Sequence, residues 1–111
     1  MNFYTKLPDM ECLSGDTLPA FHIQVTGGVL ASATMKIILA RKQTPDIAAV
    51  TKDCTAETGG FVVRLTNAET KDLLEGTYVM LFELSQDDLK LKKLVGNLYV
   101  HRVAGGAENG T

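Results

Sequence analysis

The chain has 111 residues, of which 45% are hydrophobic and 22% charged, with a formal net charge of −2. A chain of this length forms one domain and buries roughly 60–70% of its unfolded surface, enough for a core without covalent staples. The charge balance argues against a nucleic-acid partner, which calls for a clustered basic surface, and no apolar run approaches the roughly 20 residues of a membrane-spanning helix.

The N-terminal stretch Met1-Asn-Phe-Tyr-Thr-Lys-Leu-Pro8 lacks a basic segment followed by an apolar one, so no signal peptide is expected and synthesis in a reducing compartment follows. Residues 1–17 read as irregular, with Pro8, Gly15 and Asp16 as breakers and a short strand over Met10 to Leu13. Ser14-Gly-Asp-Thr17 is a turn, and Leu18 to Val25 is a strand with Phe21, Ile23 and Val25 on one face. After the break at Thr26-Gly-Gly-Val29 comes a third strand, Ala33 to Arg41. Met35, Ile37 and Leu39 face inward; Lys36, Ile38 and Ala40 face outward. A helix also fits this segment, but its β-branched isoleucine pair and the breakers at both ends favour a strand.

Gln43-Thr-Pro-Asp46 is a turn, Ile47 to Asp53 a weaker edge strand, and Thr55 to Gly60 a loop. Phe61-Val-Val-Arg-Leu65 is a short strand with Phe61, Val63 and Leu65 inward. Thr66 and Glu69 then stand at capping-box spacing, which predicts a helical turn over 67–74 ended by Gly76. The clearest strand follows: Tyr78, Met80, Phe82 and Leu84 fall on one face, and Val79, Leu81 and Glu83 on the other. Both faces are largely apolar, so this strand is expected at the centre of its sheet. Gln86 to Lys93 reads as a charged hairpin region, Leu94 to Val103 as the last strand with a bulge at Gly96, and 104–111 as a flexible Gly-rich tail.

About seven short strands and one helical turn predict an all-β fold: an antiparallel immunoglobulin-like β-sandwich over 1–103, packed around Phe21, Ile37, Phe61, Tyr78 and Phe82. Leu74-Glu-Gly-Thr-Tyr78 resembles the turn before strand F of immunoglobulin-like domains, where a tyrosine hydroxyl bonds back to nearby backbone. Met80 stands where a true immunoglobulin domain carries its second cysteine, and the chain has no tryptophan, so the sandwich rests on apolar packing.

The chain also resembles the N-terminal domain of phage baseplate upper proteins and related small phage tail proteins. The resemblance is carried by Gly15-Asp16-Thr17 leading into Phe21-His-Ile-Gln-Val25, by Met35-Lys-Ile-Ile-Leu39 and by Phe61-Val-Val-Arg-Leu65. It continues through the Glu69-Thr70 turn, the Gly76-Thr-Tyr78 strand and Gly96-Asn-Leu-Tyr-Val100, and so covers residues 14–103. It implies a virion structural protein that acts by protein–protein assembly. The long regions that follow the domain in that family, with their receptor-binding apparatus, are expected to have no counterpart here.

No catalytic constellation emerges. His22 and His101 each lie in an alternating strand without a carboxylate at motif spacing, and are read as surface or structural. Ser14, Ser32 and Ser85 lack a nucleophile elbow. Cys12 and Cys54 form no CxxC and have no histidine at ligand spacing. They read as small apolar side chains, and the sequence leaves open whether they are bonded to one another. Asp87-Asp88 matches no calcium loop, and Gly27-Gly28 and Gly59-Gly60 open no phosphate-binding unit; both glycine pairs are turns. Lys90, Lys92 and Lys93 make either a basic docking strip or a protected edge.

Neither metal nor cofactor is expected. The expected partners are proteins, including further copies of the chain. The candidate interface residues are the outward apolar Ile38, Val62 and Leu81, because the outer face of a sandwich is ordinarily polar. A carbohydrate-binding sandwich is the alternative. It needs exposed aromatics, and only Tyr99, Phe3 and Tyr4 are left outside the expected core.

Overall fold

The structure is a computed structural model and describes residues 2–4, 9–26 and 32–102. The predicted tail at 104–111, the end of the last predicted strand at Val103 and the Gly27-Gly28 break lie outside the described residues.

Among the described residues, nine strands form two sheets. Their ranges are β1 Asn2–Tyr4, β2 Met10–Leu13, β3 Phe21–Thr26, β4 Thr34–Arg41, β5 Ala48–Asp53, β6 Thr55–Glu57, β7 Gly60–Val63, β8 Gly76–Gln86 and β9 Leu89–His101. A short helix, α1, spans Asn67–Thr70. The first sheet has the order β1-β3-β7-β6 and the second β2-β9-β8-β4-β5. These orders correspond to the A-B-E-D and G-F-C-C′ arrangements of an immunoglobulin-like sandwich, with β2 added outside β9.

Most of the predicted inward residues lie in the core, which Phe3, Leu18, Leu73, Leu98 and Val100 complete, while Val25 is only partly buried. Phe21, Ile23, Phe61 and Val63 of one sheet meet Met35, Ile37, Leu39, Tyr78, Met80, Phe82 and Leu84 of the other, all buried in one cluster. Each such large apolar side chain contributes about 1.5–3 kcal/mol on burial. As expected, β8 lies at the interior of its sheet, between β4 and β9, and β5 is an edge strand.

Where the structure departs from the sequence reading, the cause is tertiary. The N-terminal residues supply a strand, because Asn2–Tyr4 pairs with Thr26–Gln24 and Phe3 enters the core. Thr55–Glu57 is a strand rather than a loop; all three residues are exposed, so it has no apolar period to read. The sandwich is not wholly antiparallel, because β2 runs parallel to β9, Met10 opposite Leu98 and Leu13 opposite His101. Ala40, expected outward, is fully buried: its small side chain lies between its cross-strand neighbours Ala48 and Val79.

The helix ends at Thr70, short of the predicted 74. Gly76 does not stop it but opens β8 at φ +146°, a backbone angle that favours glycine. The charged region after Gln86 is a hairpin with a two-residue loop, Asp87-Asp88, so β9 begins at Leu89 rather than Leu94. The predicted irregularity near Gly96 is present: Met80 pairs with Gly96 but Leu81 with Leu94, leaving Val95 as the extra residue of a bulge.

The corner between β7 and β8 behaves as the resemblance to strand F implies. The Tyr78 hydroxyl donates to the Leu74 carbonyl at 2.8 Å. Arg41 covers the same ring, its guanidinium carbon 5.5 Å from the centroid.

Candidate interaction surface

In an antiparallel sheet, residues directly opposite one another share a face, so register alone assembles the outer surface of the five-stranded sheet. Ile38 pairs with Leu81, and Leu81 with Leu94; on the far side Ile38 pairs with Thr51. The result is one row across four strands: Thr51, Ile38, Leu81 and Leu94. Ile38 and Leu81 are half-buried by their neighbours, whereas Leu94 is 59% exposed.

The next row toward the β8–β9 turn is Asp53, Lys36, Glu83 and Lys92. Lys36 Nζ lies 3.2 Å from Glu83 Oε1, with the Glu83 side chain only 12% exposed. Asp53 and Lys92, at the two ends of the row, are exposed and form no ion pair among the described residues. On the other side of the apolar row stand Ala48, Ala40, Val79 and Asn97, all uncharged.

The three predicted interface residues are therefore not one patch. Ile38 and Leu81 are immediate neighbours, while Val62 lies on the first sheet between His22 and Thr55. Leu94, the most exposed apolar residue of the row, was not singled out by the sequence. The signal for it was the Asp87-Asp88 turn: a two-residue hairpin loop fixes the register that sets Leu94 against Leu81 and Lys92 against Glu83. The lysine strip divides. Lys90 and Lys92 are exposed, but Lys93 faces inward, where its ammonium donates to the Phe3 carbonyl at 3.1 Å and lies 5.1 Å from the centre of the Phe3 ring. Edge protection explains the outer two, because β2 covers only Leu98–His101 of β9.

The remaining polar side chains hold the fold. His22 Nδ1 is 2.9 Å from Glu57 Oε2 and His101 Nε2 is 2.9 Å from Glu11 Oε1; both carboxylates lie far away in sequence and were invisible to motif spacing. The Ser14 hydroxyl donates to the Lys71 carbonyl at 2.9 Å, fastening the end of β2 to the turn after α1. The Ser32 hydroxyl accepts from Gln86 Nε2 at 2.7 Å, and Ser85 pairs with Thr34. Cys12 and Cys54 are free thiols. Burial, with Asp53 adding to it, pushes the Cys54 thiol up to about 12; burial and then Asp16 raise Cys12. Among the described residues, no group of three or more His, Cys, Asp or Glu gathers as a metal site would require.

An open groove of about 530 Å³ lies beside β5 and α1, bordered by Arg41, Thr51, Glu69, Asp72, Leu74 and Tyr78. Two of its charges are already engaged within the fold. Arg41 donates to the Glu75 carbonyl at 3.3 Å, and Glu69 Oε1 accepts from the Thr66 amide at 2.6 Å, the Thr66 hydroxyl at 2.7 Å and Lys52 Nζ at 3.1 Å. These three donors hold the Glu69 carboxyl down at about 2, the Thr66 hydroxyl contributing most.

Compared with known proteins, the chain matches no family model and no curated protein.

Proposed function

We propose that this chain is a non-enzymatic structural and interaction protein, a phage or prophage tail or baseplate component that works by protein–protein assembly. The observation that carries the reading is the Ile38–Leu81–Leu94 row on an outer sheet face. Apolar side chains in such a position gain free energy only when another surface covers them. A rigid sandwich presenting that face supplies a scaffold for a partner without needing a reactive centre. Neither nucleic acid, membrane nor cofactor enters this reading. In it the protein is made in the bacterial cytoplasm and resides in the virion. Carbohydrate binding gains nothing from the geometry: Phe3 is buried, and the Tyr99 hydroxyl lies 3.5 Å from Asp9 Oδ2.

The test is mass spectrometry of phage particles purified after prophage induction of the source strain. Peptides of this chain are expected in tail-bearing particles, in fixed ratio to the other tail proteins. Particles that lack it while the chain accumulates in the soluble lysate overturn the proposal.

A further inference from the structure

The charged row on the outer face of the five-stranded sheet has a symmetry of its own. Read across β5, β4, β8 and β9, its signs are minus at Asp53, plus at Lys36, minus at Glu83 and plus at Lys92. Reflected through the line midway between β4 and β8, every sign meets its opposite. A two-fold axis lying in a contact plane and running along the strands performs that reversal. We infer that a second copy of this chain docks face to face on this sheet about such an axis, between β4 and β8. The inference rests on the assembly reading above and names the partner for that surface.

In this arrangement Asp53 faces the partner's Lys92, and Lys36 faces the partner's Glu83, each pair occurring twice. The adjacent row is matched in the same operation: Ile38 lies on the partner's Leu81, and Thr51 on the partner's Leu94. The third row brings no charge to the contact: Ala40 and Val79 are already buried within each copy, and Ala48 and Asn97 at its ends are uncharged. An isologous interface requires this self-complementarity.

Competing arrangements fail on the same residues. Moving the axis by one strand, onto β8, sets Glu83 against itself and Lys36 against the partner's Lys92, like on like. A two-fold running across the strands through the apolar row lays the four charges on Ala48, Ala40, Val79 and Asn97 and desolvates them unpaired. The centre of the charged row is already neutral within each copy through the Lys36–Glu83 pair. Asp53 and Lys92, with no ion pair among the described residues, are therefore the groups whose partners the second copy brings.

The experiment is sedimentation equilibrium of the full chain with three variants, Lys92→Glu, Asp53→Lys and the two combined. All change exposed side chains, and thermal melts establish that each variant folds. The native chain is expected to dimerise. Each single variant, which places like charges together twice, is expected to weaken the dimer about tenfold or more, and the double swap to restore it to within about threefold. A native chain that stays monomeric to about 1 mM overturns the inference, as does a dimer that the single variants leave unchanged or that the double swap fails to restore. The particle experiment fails separately. A monomer found in particles removes this dimer and leaves the tail reading standing; a swappable dimer absent from particles does the reverse.

Discussion

Glu69 shows how one side chain can tie a local turn to the pH response of the molecule. Its carboxyl sits at about 2 in the folded protein, chiefly through the Thr66 hydroxyl and amide and then Lys52. In the unfolded chain it titrates near 4.3. A depressed folded value means that its contribution is complete above the unfolded value and is lost as pH falls toward the folded one. Melting curves of the native chain and Glu69→Gln are therefore expected to differ by a constant amount above about pH 5 and to converge as the pH approaches about 2. The cysteines make the opposite kind of prediction. With Cys54 raised to about 12 and Cys12 also raised, both thiols stay protonated near neutrality. Colorimetric thiol titration at pH 7.5 is expected to modify them about a hundredfold or more slowly in the folded protein than in denaturant. At this scale the sequence was informative wherever a residue's role depended on its near neighbours: the Thr66–Glu69 spacing announced the interaction at α1. Partners brought together from distant parts of the chain, such as His22 with Glu57 or Lys93 with Phe3, left no local signature.

Among the elements, the β7–β8 corner and the β3–β7 contact each depend on one position. Tyr78→Phe keeps the buried ring and removes only the hydroxyl that meets the Leu74 carbonyl at 2.8 Å. It is expected to cost about 1 kcal/mol, a drop in melting temperature of roughly 5 °C measured by circular dichroism. Gly60 is harsher. It opens β7 against β3, and a Cβ there would stand 1.8 Å from the Ile23 carbonyl oxygen. Gly60→Ala is expected to cost more than about 4 kcal/mol, with loss of the cooperative thermal transition. Gly59 beside it, with φ +81°, is the turn residue that the glycine pair predicted, whereas Gly60 is glycine because two strands approach closely. A pair of glycines in sequence does not separate those causes. Nor does alternation reveal a strand that has none: β6 is exposed throughout, and β1 is three residues long and exists through its pairing with β3. By contrast β4, β7 and β8 were legible because each carries an unbroken apolar run on one face, Met35 to Leu39, Phe61 to Val63 and Tyr78 to Leu84, and the period of two permits one way of burying it.

For the whole molecule, the surface that matters is one that no single element carries. The row of alternating charge draws one residue from each of four strands, and only β8 and β9 are joined by a turn whose register can be read from the sequence. That is why Ile38 and Leu81 were recognisable as outward apolar residues, while Leu94 and the flanking charges became a surface only in the folded sheet. Val62 obeyed the same rule of alternation and landed on the opposite face. Self-association through the five-stranded sheet also predicts that the melting temperature rises with protein concentration, because a dimer that forms only from folded chains stabilises them by mass action. Calorimetry over a hundredfold range of concentration is expected to show that rise in the native chain and to lose it in Lys92→Glu.

The parallel pairing of β2 with β9 has a mechanical meaning. Tension applied between Met10 and His101 drags the two strands past one another along their length, because the near end of one and the far end of the other are pulled in opposite directions. The hydrogen bonds of this ladder then carry the load side by side instead of parting one after another, as they do when a hairpin is unzipped from its open end. The ladder between β2 and β9 thus meets tension along its length as a shear clamp.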